Sequence, residues 1–407
     1  MSNRRTFIKS IGLASLGSPL MRNLIPDTAS DDYWTQVKML YHYDTSSKIL
    51  NFNTGSACIM PKPIQDSYLE NIIRVNSHAA YEVKDAQEPL VKATKERLAV
   101  LAGCNGDDLA LVRNTTEAIN AILYGIDWEV GDEVLVTNLD YPAVLMTLKH
   151  IADSKGIVLQ KLRIDPQSSS PDEILRTYNK GITGRTRLML ITYMTHREGL
   201  ILPATDLCTL AKEKGIMTLI DAAHALGQID HSIEEMGCDF YATSLHKWLY
   251  APLGSGLLYV NQSNRNTISP PNSYAPSLSD NMDKFSNLGT LNFAKALTLE
   301  AVLDFHEAIG PINKYLRLKQ MQRYFVSGLR KIKNIIIYSQ EDYGCGIVTF
   351  GIEDLDASAV RDELANQHIH VKLSGYPKTS FLRVTLNLHL VESDIDRLLV
   401  AIKQIAA

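Results

Sequence analysis

From residue 109 onward, short apolar runs alternate with stretches whose apolar positions recur at helical spacing. Runs rich in Val, Leu and Ile predict strands near 109–112, 133–137, 157–162, 187–193, 216–220, 239–243 and 256–260. Helical stretches fall between them. In "ATDLCTLAKEKG", Leu207, Leu210 and Ala211 share one face and Gly215 supplies the stop. This alternation predicts an α/β domain whose mostly parallel, seven-stranded sheet is covered by helices on both faces.

After the polar, proline-bearing stretch "SPPNSYAPSLSDNMDKFSNLGT" the texture changes. Helices over 291–308 and 311–333 lead into "NIIIYS", "GIVTFGI", a helix over 356–366, "IHVKL" and "FLRVTLNL". A last helix opens at Ser393, with Asp396 three residues on as its capping partner. The pattern predicts a smaller α+β C-terminal domain over 301–407, a large domain over 61–300, and an N-terminal segment over 31–60 packing near the small domain and the active site.

Composition narrows the partners. The 407 residues carry 41 Lys and Arg against 45 Asp and Glu, a net charge of -4, and the basic residues are interspersed with acids. That gives no basic field for nucleic acid. Five cysteines, Cys58, Cys104, Cys208, Cys238 and Cys345, lack CxxC spacing, so no metal site or disulfide framework is expected. The N-terminal "NRRTFIKSIGLASLGSPL" sets Arg4 and Arg5 before Phe7, Ile8 and Lys9 and resembles a twin-arginine export signal over residues 1–30. It implies export of the folded protein to the periplasm, through the twin-arginine machinery. A basic arm on a cytoplasmic protein is the alternative. The stretch is too short and polar for stable membrane insertion.

Chemistry gathers at two strand ends. Asp221 in "TLIDAAHALGQ" follows an apolar strand directly, where open α/β sheets bind ligands, although alone it would read as a cap for a following helix. The next strand ends in "SLHK", bringing Ser244, His246 and Lys247 to the same edge. A lysine with a buried carboxylate is the pair that pyridoxal 5'-phosphate (PLP) chemistry needs: the amine joins the aldehyde, and the carboxylate keeps the pyridine nitrogen protonated. In "VRNTTEAINAI", Asn114 and Glu117 read as a helix N-cap and its partner, and Thr115 and Thr116 add hydroxyls to a helix start that suits an anion.

From about residue 50 to the end, the chain resembles the class V aminotransferase family of fold-type I PLP enzymes, in particular its isopenicillin N epimerase-like branch. The motifs are "NTTEAIN", "TNLDYPA", "IDAAH", "SLHKW", "GTLNF" and "FLRVTLNLHLVESDIDRLL". The resemblance implies that Lys247 is the Schiff-base lysine and Asp221 the partner of the pyridinium nitrogen. It implies that Thr115, Thr116, Ser244 and His246 hold the phosphate. Tyr141 would stack on the cofactor, with His224 near its phenolic oxygen and Thr195 in reach of that oxygen, although "YMTHREG" departs from the family pattern. Thr290 would complete the phosphate site of the other subunit, implying a homodimer. Arg383 would clamp the substrate carboxylate, a task for which a permanently charged fork is suited. Asn53, Gly55 and Ser56 in "FNTGSACIMP", and His78 in "VNSHAAYE", would lie on the substrate side.

The implied substrate is a small amino acid. A cysteine desulfurase would need a thiol on the loop before the arginine strand, and "HVKLSGYPKTSFLRV" has none, while Cys345 belongs to an earlier strand. Epimerisation, transamination and β-elimination at an amino acid remain, with Tyr141 or His224 as candidate second proton donor for epimerisation. A non-catalytic PLP-binding protein would not need Lys247, Asp221 and Arg383 together.

Overall fold

A computed structural model describes residues 31–41, 49–77, 80–272, 274–289, 291–376 and 379–407. The expected signal segment, His78 and Thr290 lie outside the described residues. Thirteen strands are described: β1 (Leu50–Asn51), β2 (Leu109–Val112), β3 (Glu133–Thr137), β4 (Val158–Leu162), β5 (Thr186–Thr192), β6 (Met217–Asp221), β7 (Phe240–Ser244), β8 (Gly256–Val260), β9 (Ile335–Ile337), β10 (Ile347–Ile352), β11 (Ile369–His370), β12 (Lys372–Tyr376) and β13 (Thr379–Thr385).

The large sheet has the order β2-β8-β7-β6-β5-β3-β4, and β8 alone runs antiparallel to its neighbours. Successive residues feed opposite faces. Leu135, Met189, Ile191, Ile220, Tyr241 and Leu257 enter one core, while Val134, Val136, Leu190, Leu219, Phe240 and Leu258 enter the other. Burial on both faces explains why these strands read as near-continuous apolar runs. Helices cover each face, and the expected mostly parallel seven-stranded α/β architecture is present.

The smaller sheet is antiparallel, in the order β12-β13-β10-β9, and packs against helices Ala357–Asn366, Glu392–Ile405 and part of Pro311–Leu329. A boundary at residues 300 and 301 falls inside the unbroken helix Phe293–Ile309, whose Leu299, Val302, Leu303, Phe305 and Ile309 join a core of the large sheet. The cores change over within the next helix, between Leu318 and Met321. A helix is stiff across such a boundary, so the loop that marks the change of texture is not the change of core. That second helix stops at Leu329, short of residue 333. The last helix starts at Glu392, and Asp394 rather than Asp396 accepts the N–H of Val391 at 2.9 Å. Asp396 instead accepts the Tyr324 hydroxyl at 2.7 Å.

The N-terminal segment spans both units. Tyr33, Trp34 and Val37 enter a core of the large sheet, Lys38 pairs with Asp394 at 2.7 Å, and β1 runs parallel to β11. Among the described residues no helix is long and apolar enough to cross a membrane.

One glycine sets the edge where the parallel strands end. A Cβ on Gly256, at the start of β8, would lie 2.8 Å from the backbone N and Cα of Asn114. Gly256→Ala must therefore push back the turn that opens helix Thr115–Gly125. The expected cost is about 1–3 kcal/mol of stability by urea denaturation, accompanied by weaker inorganic phosphate binding in a titration of the apoprotein.

Candidate active site

The carboxyl ends of β2, β5, β6 and β7 share one edge of the large sheet, and the chain leaving each contributes to a cavity of about 600 Å³. Asp221 is the last residue of β6; a turn, not a helix, follows it, so it caps no helix. Its Oδ1 accepts the N–H of Ala223 at 3.1 Å. Burial raises its carboxyl above the usual range, against that hydrogen bond and the attraction of Lys247. Lys247 lies in the turn after β7, and burial pulls its amine down to about 8, although Asp221 favours the ammonium.

His224 connects to that amine. Trp248 Nε1–H donates to His224 Nδ1 at 3.2 Å, so in the neutral ring the proton sits on Nε2, 3.3 Å from Lys247 Nζ. Burial holds this imidazole well below its ordinary pKa. Nε2–H therefore meets the lone pair of a neutral amine. Trp248 is itself fixed, because buried Lys314 donates to its carbonyl.

At the opposite rim the N-cap Asn114 accepts the N–H of Glu117, leaving Thr115 and Thr116 at the helix start. Ser244 Oγ lies 2.7 Å from Thr115 Oγ1 and accepts the Thr115 N–H at 3.0 Å. His246 Nδ1 faces the Ser255 carbonyl at 3.0 Å; a carbonyl only accepts, so Nδ1 carries the proton and Nε2 is left for the cavity. Backbone donors, three hydroxyls and a histidine at a helix start suit a phosphate.

Arg383 on β13 forms another wall. Its Nη1 donates to the His196 carbonyl at 2.7 Å, while Nε and Nη2 are buried without a partner. Gly55 makes room for it, since a Cβ there would lie 2.8 Å from Nη2. Burial lowers the guanidinium to about 10, still charged at neutral pH. Two orphaned donors in a fork fit a carboxylate.

Of the expected residues, Ser56, Thr115, Thr116, Tyr141, Asp221, His224, Ser244, His246, Lys247 and Arg383 line this one cavity. Asn53 does not. It is exposed beside the buried Phe52 because the extended chain turns alternate residues outward. Thr195 does not either: its hydroxyl donates to Glu198 at 3.3 Å and accepts the Leu200 N–H at 3.0 Å. The lining residue is its neighbour His196, whose ring stands edge-on to Tyr141 at 5.1 Å. Thr192, Met194 and His196 alternate into the cavity, so a period of two continued past β5 was the available signal. Lys372 and Ser374 also line the cavity and carried no such motif.

Comparison with known proteins agrees with this geometry. The family model for class-V aminotransferases matches residues 49–398. The chain belongs to the class-V aminotransferase family. It is 26% identical over 385 residues to the isopenicillin N epimerase of Amycolatopsis lactamdurans, covering 88% of this chain and 95% of that protein. It is 27% identical over 413 residues to a probable cysteine desulfurase of Xylella fastidiosa (strain 9a5c), covering 93% and 97%. Among solved structures, a C-DES mutant with glycine covalently linked to its PLP cofactor superposes with a TM-score of 0.79 at 19% identity, over 88% of this chain and 96% of that one. This class-V enzyme is PLP-dependent, and its donors fit the cofactor: an amine for the aldehyde, a buried carboxyl for the ring nitrogen and an anion cradle for the phosphate.

Beside the cavity, Asp140 precedes Tyr141 and is buried; burial raises its carboxyl to about 7, against donors from Thr137 and Thr192. Its folded pKa lies above the unfolded value, so the cost of ionising it is absent near pH 4 and complete above about 7. Asp140→Asn is expected to match the wild type in urea midpoint near pH 4 and to exceed it at pH 8. A second expectation concerns Trp248→Phe, which frees His224 to turn its lone pair toward the ammonium. The pH midpoint for capture of PLP by apoprotein, near 8 for Lys247 in the wild type, should move upward in a stopped-flow absorbance series.

Proposed function

We propose that the enzyme exchanges the α-proton of an amino acid in an epimerase-type reaction. The observation that carries this is one cavity holding Lys247, Asp221 and Arg383 together with Tyr141, whose ring meets His196 edge-on, and lined by none of the five cysteines among the described residues. When bound, PLP supplies the electron sink that makes the α-proton removable. The chain supplies the rest.

In this reading Thr115, Thr116, Ser244 and His246 hold the phosphate, and Asp221 keeps a proton on the ring nitrogen. Arg383 takes the α-carboxylate in a bidentate grip, which fixes the direction of the α-C–H bond. Lys247, neutral at mildly alkaline pH, takes that proton; His224 Nε2–H orients the amine. Tyr141, with His196 against it, returns a proton from the other side and so inverts the centre.

Relatives named as cysteine desulfurases favour sulfur chemistry as the competing reading. The thiol nearest the site is Cys58, which accepts from Asn387 Nδ2 at 3.0 Å and is pushed up to about 12 by burial, so it is poorly suited to attack sulfur.

Incubation of the holoenzyme with panels of L- and D-amino acids in deuterium oxide should give α-deuterated products of both configurations. Sulfide from cysteine, or keto acid formed only with an added oxo-acid, is the result that overturns the proposal. Lys247→Ala should lose the yellow cofactor band and all exchange. Tyr141→Phe should keep α-deuteration but lose inversion by about a hundredfold or more, measured by chiral chromatography.

A further inference from the structure

We infer that Lys372, together with Ser374, binds a second carboxylate carried by the substrate's side chain, so that the enzyme prefers acidic amino acids; this rests on the amino-acid reading of the cavity. The register places Lys372 on β12 directly opposite Arg383 on β13. Opposed residues of an antiparallel pair project from the same face with Cβ atoms about 5 Å apart. Ser374, two residues along β12, falls on that face as well, and all three line the cavity that holds Lys247.

The two cations differ in depth. Arg383 is 5% exposed, whereas Lys372 is exposed. The buried fork faces the cavity with two unpartnered donors, enough for one carboxylate gripped at two oxygens. Lys372 is thus not needed for that group. It has no ion pair among the described residues, and Asp221, the one acidic residue among the described lining residues, is the counter-charge felt by Lys247. A cation at the mouth, above a complete carboxylate site and beside the Ser374 hydroxyl, is placed for an anion that sits farther from the α-carbon. A side-chain carboxylate supplies one.

Binding is read without turnover from the change in the holoenzyme's visible band as glutamate, glutamine, aspartate or asparagine is added at low salt. The wild type should bind glutamate about fivefold more tightly than glutamine, the upper range for an exposed ion pair. Lys372→Met should erase that preference while leaving glutamine within about twofold, and Lys372→Arg should retain it. Equal weakening of glutamate and glutamine in Lys372→Met would assign Lys372 to the α-carboxylate and overturn the inference, as would a wild type that binds both alike. An acid preference lost in Lys372→Met but accompanied by sulfide or oxo-acid-dependent products supports Lys372 and overturns only the epimerase reading.

Discussion

The site depends on keeping one amine dry. Moving an ammonium from water into a protein interior costs several kcal/mol, and a nearby carboxylate offsets only part of it. Here burial outweighs attraction for both partners, since Lys247 falls to about 8 while the Asp221 carboxyl rises. Burial thus disfavours the charged form of each partner. That is a poor arrangement for stability and a good one for a nucleophile that must shed its proton near neutral pH. Trp248 and His224 complete it by presenting an N–H to the lone pair.

The large sheet makes that burial possible. Because β5, β6 and β7 run parallel, Thr192, Asp221 and Ser244 finish side by side, with Thr192 opposite Asp221 in the β5–β6 register and Ala242 opposite it on β7. Helix Thr115–Gly125 begins at the same edge, and its packing across β7 and β8 brings its first turn to Ser244. The anion cradle thus rests on a strand end and a helix start, and the amine on the buried turn that follows β7 directly, which limits the error in their separation.

The sequence disclosed the large domain's strands to within one residue, because burial on both faces leaves little but aliphatic residues in them. The chemistry at strand ends was legible for the same reason: a charged residue directly after such a run stands out. Lys247 and Asp221 are of this kind. What failed lay where tertiary contacts decide. Thr195 and His196 are adjacent polar residues, and only the turn to Leu200 reveals which is spent internally. Asn53 looks like a loop residue until the pairing of β1 with β11 fixes which side faces out. The core changeover inside a continuous helix has no local mark, and Lys372 gains meaning only from the residue opposite it on β13.

Gly55 and Arg383 stand 328 positions apart by subtraction of their numbers, yet they touch, and β1 pairs with β11 nearby. Lys247, Asp221 and the Thr115 helix start all come from the middle of the chain. During synthesis the cofactor's contacts are consequently translated well before the carboxylate fork, which exists only when both flanks of the chain have come together. A growing chain on the ribosome carries the residues of the cofactor's site before it carries Arg383.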